Sequence, residues 1–121
     1  RAYLRFFKNH PEQVELLILE RAEFRDRKRS TYHDHREAGR PRWNRLVSDL
    51  VSSGRLREMP VSRVMDVVGD LLYGTMFTNH FSGGTKPLEE QAGDILDIIY
   101  HGMLSDRERD RIAPGGKRGK R

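Results

Sequence analysis

The chain has 121 residues, which suits one domain with a single core, and it has no cysteine, which excludes a disulfide framework, a thiolate metal site and a cysteine nucleophile. Its net charge of +5 is concentrated in residues 105–121, so residues 1–104 are nearly neutral and make a poor phosphate-binding surface. There is no apolar run of about 18 residues and no signal peptide pattern. We therefore expect a cytoplasmic protein that does not span a membrane.

The first part of the chain has apolar residues at helical spacing. Residues 2–7 predict a first helix, and Pro11 at a first helical position begins a second helix, predicted over residues 11–29. The mixed charges of residues 25–29 predict a solvent-exposed face. The inner stripe of the second helix is predicted to consist of Val14, Leu17, Ile18 and Phe24.

A proline separates the next two predicted helices. Thr31 and Asp34 have the spacing of a capping box for the first of them. Pro41 interrupts that helix, because proline lacks a backbone donor and restricts the residue before it. A further helix is predicted over residues 41–53 and ends at Gly54. Its apolar stripe consists of Trp43, Leu46, Val47, Leu50 and Val51.

Two strongly apolar helices are predicted over residues 61–81 and 88–104, with a short break between them. Apolar residues fall on more than one face of each helix, whereas a surface helix confines them to one stripe. One face can pack on its own domain while the other needs a partner, most simply a second copy. The sequence therefore predicts an all-α fold: a helical bundle domain over residues 1–104 with a C-terminal helical hairpin that forms an intersubunit four-helix bundle. A polar, disordered basic tail is predicted over residues 105–121.

Glycines inside these two predicted helices need a packing reason, because glycine in a helix costs up to about 1 kcal/mol relative to alanine. Gly69, Gly74 and Gly102 would let another backbone approach closely. Self-association and a helix crossing within the monomer are both open explanations. The predicted dimer interface consists of Gly74, Thr78, Phe81, Ile95, Ile98 and Gly102.

The sequence carries no pattern that is typical of catalysis. The cluster His33-Asp34-His35 contains metal-ligating side chains, but residues i and i+2 of a helix point to different faces. Gly83-Gly84 follows a helix and lacks the lysine and the serine or threonine of a phosphate loop. We expect no catalytic residue, no metal, no cofactor and no enzyme activity.

Several segments occur in an order that is typical of one family. They are Tyr3 to Phe7 followed by His10-Pro11-Glu12, an arginine-rich helix end, Leu50 to Leu56, Leu71 to Phe77, and Ile95 to Gly102. In this order they resemble the C-terminal effector-binding and dimerisation region of bacterial TetR-type (tetracycline-repressor-like) transcriptional regulators, over about residues 2–104. The resemblance implies a homodimer, a small-molecule effector of unknown identity, and DNA binding through an N-terminal helix-turn-helix that is missing from this chain.

An effector pocket is expected within one subunit, among the inner faces of the helices predicted over residues 11–29, 41–53 and 61–81. Ligand sites are mostly apolar with a few polar groups, and Arg21 could meet an anionic guest. The predicted lining consists of Arg21, Phe24, Trp43, Met65, Tyr73 and Phe77; each of these residues could instead fill the core. The alternative function is a free-standing helical protein-interaction module, which a helix-turn-helix pattern upstream of Arg1 would exclude.

Overall fold

A computed structural model describes residues 1–83, 86–103 and 105–113. These ranges contain no strand, which confirms the all-α prediction. The chain divides into two compact units, Arg1–Thr85 and Lys86–Arg121. The helices are α1 Ala2–Asn9, α2 Pro11–Glu23, α3 Thr31–Ser52, α4 Val61–Ser82, α5 Leu88–His101 and α6 Asp106–Ile112. No helix among the described residues is both long and apolar enough to cross a membrane.

The first unit is organised around α4, which packs against α1, α2 and α3. Its core is small and receives one fully buried side chain from each helix. These side chains are Leu4, Val14, Val47 and Met76. Because each helix contributes a single buried residue, many large apolar side chains of this unit remain exposed to solvent.

The helix α2 ends at Glu23 and not at residue 29, so the longer predicted helix is wrong at its C-terminus. The Glu20 carboxylate accepts hydrogen bonds from the Thr31 N–H at 2.7 Å and from Arg27 Nη1 at 3.3 Å. These bonds attach the last turn of α2 to the first residue of α3. The chain must therefore reverse within residues 24–30, whose charged side chains are exposed as predicted but lie in a turn.

Ser30, and not Thr31, is the N-cap of α3. Its Oγ accepts a hydrogen bond from the His33 N–H at 3.3 Å, and Thr31 is the first helical residue. The cap therefore lies one residue before the predicted one, and it consists of the serine side chain alone. Serine is among the preferred N-cap residues, because its side-chain oxygen satisfies an N–H that has no partner within the helix.

The helix α3 continues through Pro41, so the predicted interruption at this residue is wrong. Proline removes one helical hydrogen bond and crowds the carbonyl four residues earlier. Contacts with α4 offset that cost on the N-terminal side of the proline. Arg36 Nη1 donates to Asp70 at 3.0 Å, and Arg40 Nη2 donates to Asp66 at 3.2 Å. The helix is thus attached to α4 just before the proline and continues through it.

Gly69 lies where the Arg36 side chain crosses α4. A β-carbon at this position would lie 2.2 Å from Arg36 Nη2, which donates to the Met65 carbonyl at 3.2 Å. This glycine therefore serves packing within the monomer. By contrast, a β-carbon at Gly74 would meet no described atom within 4 Å.

Gly102 does not lie inside a helix, contrary to the prediction. It caps α5 with a φ of 73°, and its N–H donates to the Ile98 carbonyl at 2.8 Å. Glycine adopts this left-handed backbone without steric cost, so it ends the helix at His101. Leu104, the last residue of the predicted helix, lies outside the described residues.

The short helix α6 occupies residues that the sequence analysis assigned to a disordered tail. The Ser105 Oγ accepts a hydrogen bond from the Glu108 N–H at 3.3 Å and caps this helix. Ion pairs at spacing i,i+3 join Asp106 to Arg109 and Glu108 to Arg111. This helix is stabilised by charged pairs and lacks the apolar periodicity from which a helix is normally predicted. The rest of the predicted tail, residues 114–121, lies outside the described residues.

We expect Gly69→Ala to act differently in two backgrounds. Alanine is more favourable than glycine in a helix by about 1 kcal/mol of folding free energy. In the unchanged chain, the new methyl group displaces the Arg36 guanidinium, and the loss of its hydrogen bonds offsets this gain. In an Arg36→Ala background, Gly69→Ala should raise the free energy of unfolding by about 1 kcal/mol. Urea unfolding of the four proteins measures this coupling. The same effect in both backgrounds would contradict the proposed dependence of Arg36 on this glycine.

Candidate ligand groove

A groove on the first unit runs between α2, the turn of residues 24–30, the start of α3, and α4. Its volume is about 810 Å³, which falls within the range of small-molecule sites. The groove has an apolar and aromatic lining and a separate cationic lining. The apolar lining consists of Leu17, Ile18, Ala22, Tyr73 and Phe77. The cationic lining consists of Arg21, Arg25, Arg27, Lys28 and Arg29, next to Ser30 and His33.

The cationic lining carries more positive charge than nearby acids neutralise. Arg27 pairs with Glu20 at 3.3 Å, and Arg29 lies 3.9 Å from Asp34. The other three cations of this lining have no acidic partner within 4 Å among the described residues. They are Arg21, Arg25 and Lys28. The described lining of the groove also contains no Asp or Glu, so the groove favours a ligand with negative charge.

The aromatic side chains that line the groove also contact aromatic side chains of the first unit outside the groove. The Tyr73 ring lies edge-on to Phe77 with the centroids 4.9 Å apart, and it also contacts Tyr32 at 4.7 Å. The hydroxyl oxygens of Tyr32 and Tyr3 are 2.6 Å apart. A chain of direct contacts thus links the groove on α4 to α1 through the start of α3.

The hydroxyls of Tyr3 and Tyr73 are held in the neutral form. Burial raises the pKa of Tyr73 above its usual value, and the neighbouring Tyr32 raises it further. Burial, followed by the hydrogen bond with Tyr32, raises the pKa of Tyr3 well above its usual range. A neutral phenol can donate a hydrogen bond, so Tyr73 is suited to contact an anionic group.

His33 is held by Ser30 at the entrance to α3. Its Nδ1 lies 2.6 Å from the Ser30 Oγ, and its ring contacts the ring of Tyr73 with the centroids 5.4 Å apart. Within the described ranges, no group of three or more His, Asp or Glu side chains could hold a metal ion. His33 therefore contributes to the groove as a polar lining residue.

The structure brings together half of the predicted pocket. Arg21, Tyr73 and Phe77 line the groove, whereas Phe24 lies beside it with Arg27 over its ring at 5.1 Å. The other two predicted residues do not line this groove. They are Trp43, which is exposed on α3, and Met65, whose carbonyl accepts a bond from Arg36.

Most of the cationic lining was not predicted from the sequence. The basic run of residues 25–29 was interpreted as an ordinary exposed face, although its density of arginine and lysine was the available signal. The nearly neutral net charge of residues 1–104 concealed it, because acidic residues elsewhere in this range cancel the local excess. The fold makes this run a groove wall, because the turn after α2 places it beside Tyr73 and Phe77.

A second surface of α4 lies opposite the core. Its residues are exposed and follow one another at alternating intervals of four and three, the spacing of a helix–helix seam. We call this surface the α4 stripe; it consists of Val67, Leu71, Gly74, Thr78 and Phe81. Met76, the buried residue of α4, lies on the other side of the helix.

The predicted dimer residues therefore differ in their positions. Gly74, Thr78 and Phe81 belong to the α4 stripe, and the Phe81 side chain is 71% exposed. In the second unit, Ile98 is exposed and Ile95 is half-buried.

Comparison with protein-family models, curated protein sequences and solved structures gives no match to this chain. An assignment of function must therefore come from the groove and the stripe themselves.

Proposed function

We propose that this chain is the ligand-sensing and dimerisation domain of a TetR-type transcriptional regulator. In this proposal, a small molecule bound in the groove controls operator binding by a helix-turn-helix outside these 121 residues. The observation that carries the proposal is that α4 has two different exposed surfaces. Tyr73 and Phe77 line the groove, while the α4 stripe offers an apolar seam on another side of the same helix.

The ligand side of the proposal is supported by the composition of the groove. Aromatic and aliphatic side chains offer apolar surface, and Arg21 and Arg25 offer charge without an acidic partner among the described residues. A few charged groups beside an apolar lining orient a ligand and select it. The effector is accordingly an anionic small molecule with an apolar part.

The dimer side of the proposal is supported by the exposure of the α4 stripe. Val67 and Phe81 are more than three-fifths exposed, and burying such apolar surface is favourable by about 25 cal/mol per Å². A two-fold axis lets one stripe cover the same stripe of a second copy, and Gly74 permits close approach there. Ile98 of α5, which was also predicted for this interface, is exposed within the second unit.

The aromatic contacts supply a path for the signal. A ligand against Tyr73 would act on Tyr32 and, through the paired hydroxyls, on Tyr3 in α1. In the proposed regulator, α1 is the helix nearest in sequence to the DNA-binding domain. Binding would shift the populations of two arrangements of the dimer, with no chemical step required.

A gel-shift series tests the division of labour. We expect a longer protein that includes the proposed helix-turn-helix to bind the promoter of its own gene at a palindromic site, whereas residues 1–121 should give only weak, salt-sensitive binding. The same experiment with residues 1–113 should remove that weak binding, because it omits the basic residues Lys117, Arg118, Lys120 and Arg121. Sequence-specific binding by residues 1–121 alone would contradict the proposal.

A further inference from the structure

We infer that the groove binds a soluble amphipathic molecule with an aromatic or apolar body and a multiply charged anionic head, of which a phosphate monoester is the simplest example. The inference rests on the proposed function and specifies the chemical class of its effector. It is drawn from three features of the groove: its unpaired cations, its apolar lining, and the way its aromatic rings are already packed.

The charge of the groove favours a ligand with more than one negative charge. Arg21, Arg25 and Lys28 have no acidic partner within 4 Å among the described residues. One carboxylate supplies a single negative charge, which would leave most of the charge of these three cations uncompensated. A phosphate monoester carries about −1.5 to −2 at pH 7 and offers three acceptor oxygens. Arginine binds such a group with paired hydrogen bonds.

The apolar lining requires a body as well as a head. Leu17 and Ile18 on α2 are half-buried, and they share the groove with the rings of Tyr73 and Phe77. An inorganic anion would leave this surface in contact with water. A flat or extended apolar body attached to the anion would remove it from water, which is the favourable term in most small-molecule sites.

The packing of the rings disfavours single-stranded nucleic acid as the occupant. Bases stack on aromatic faces that are free to receive them. Tyr73 is already surrounded by the rings of Phe77, Tyr32 and His33, with centroids 4.9, 4.7 and 5.4 Å from its own. The ring edges that remain accessible are better suited to van der Waals contact with one small apolar body than to stacking with successive bases of a nucleic-acid strand.

Isothermal titration calorimetry of residues 1–121 with a matched series of probes tests the inference. The series keeps the naphthyl body and changes the head: 1-naphthol, 1-naphthalenesulfonate and 1-naphthyl phosphate, with pyrophosphate as a head without a body. We expect 1-naphthyl phosphate to bind at least about tenfold more tightly than every other member, and its affinity to fall as salt is raised.

Charge-removing variants connect this binding to the groove. Arg21→Gln and Arg25→Gln should each weaken binding of 1-naphthyl phosphate by about fivefold or more, because each removes a charge-assisted hydrogen bond. Arg57→Gln is the matched control, since Arg57 is exposed and does not line the groove. Unchanged far-ultraviolet circular dichroism verifies that the variants are folded. Equal weakening by Arg57→Gln would overturn the assignment to the groove.

The remaining outcomes separate this inference from the proposed function. Equal binding of 1-naphthol or 1-naphthalenesulfonate would overturn the multiply charged head but leave a ligand-sensing groove in place. Equal binding of pyrophosphate would overturn the apolar body. Tighter binding of oligothymidylate, or of vesicles that contain phosphatidic acid, would overturn a soluble small molecule as the occupant. Failure of every probe would overturn the inference, whereas the proposed function is tested separately by the gel-shift series and by dimerisation.

Discussion

Leu71→Asp is expected to convert the proposed dimer into a monomer. Leu71 lies within the α4 stripe and is 41% exposed in the single copy. In a two-fold interface, the substitution would place two carboxylates near each other in an apolar seam, where each would lose water without gaining a partner. We expect the dissociation constant to rise at least about 100-fold. Sedimentation equilibrium over micromolar concentrations measures this change.

A matched substitution outside the stripe is the control for this experiment. Leu19 on α2 is an exposed leucine of similar accessibility, so Leu19→Asp should leave the dimer intact. Gly74→Leu should weaken the dimer by separating the helices, because space beside Gly74 is open in the single copy. A chain that is already monomeric at micromolar concentration would contradict the proposed interface. It would favour the alternative of a helical interaction module whose stripe docks a different protein.

The helix boundaries that the sequence predicted correctly are those at which proline or glycine restricts the backbone locally. Pro11 begins α2, Pro60 precedes α4, and Pro87 precedes α5. Gly54, with a φ of 74°, follows the end of α3. At each of these positions the preference of one residue is not opposed by a distant contact, so local sequence was sufficient.

The boundaries that were predicted wrongly depend on partners that are distant in sequence. The end of α2 is fixed by Glu20, whose carboxylate accepts a hydrogen bond from a residue eleven positions later, Thr31. The helix α3 continues through Pro41 where Arg36 and Arg40 pair with Asp70 and Asp66 of α4. No local pattern contains these pairings, and they appear only when the helices are packed.

The same limit explains what the sequence could predict of the groove. Arg21, Tyr73 and Phe77 were predicted because they follow the apolar stripes of α2 and α4. The basic residues of the 24–30 turn were not, because their place in the groove depends on where α2 ends. Trp43 and Met65 were included only as apolar residues of neighbouring helices, and apolar character alone does not distinguish a pocket from any other surface.

Met76→Ala is expected to lower the free energy of unfolding by about 2–4 kcal/mol. Met76 is 2% exposed, is the buried residue of α4, and lies within 3.9 Å of the Tyr3 hydroxyl through its sulfur. Truncation would leave a cavity at the centre of a unit that has few buried side chains to compensate for it. The loss would be a large part of the roughly 5–15 kcal/mol that stabilises an ordinary domain.

Two further substitutions establish that this effect comes from lost packing. Met76→Leu nearly conserves volume and should cost less than about 1.5 kcal/mol, whereas Leu19→Ala on the exposed side of α2 should change stability by about 0.5 kcal/mol or less. Urea unfolding must be compared at one protein concentration, because the proposed dimerisation would add to apparent stability by mass action. If Met76→Ala costs no more than Leu19→Ala, then α4 is not held by this core. The groove and the α4 stripe would then lack the fixed helix on which both of their proposed roles depend.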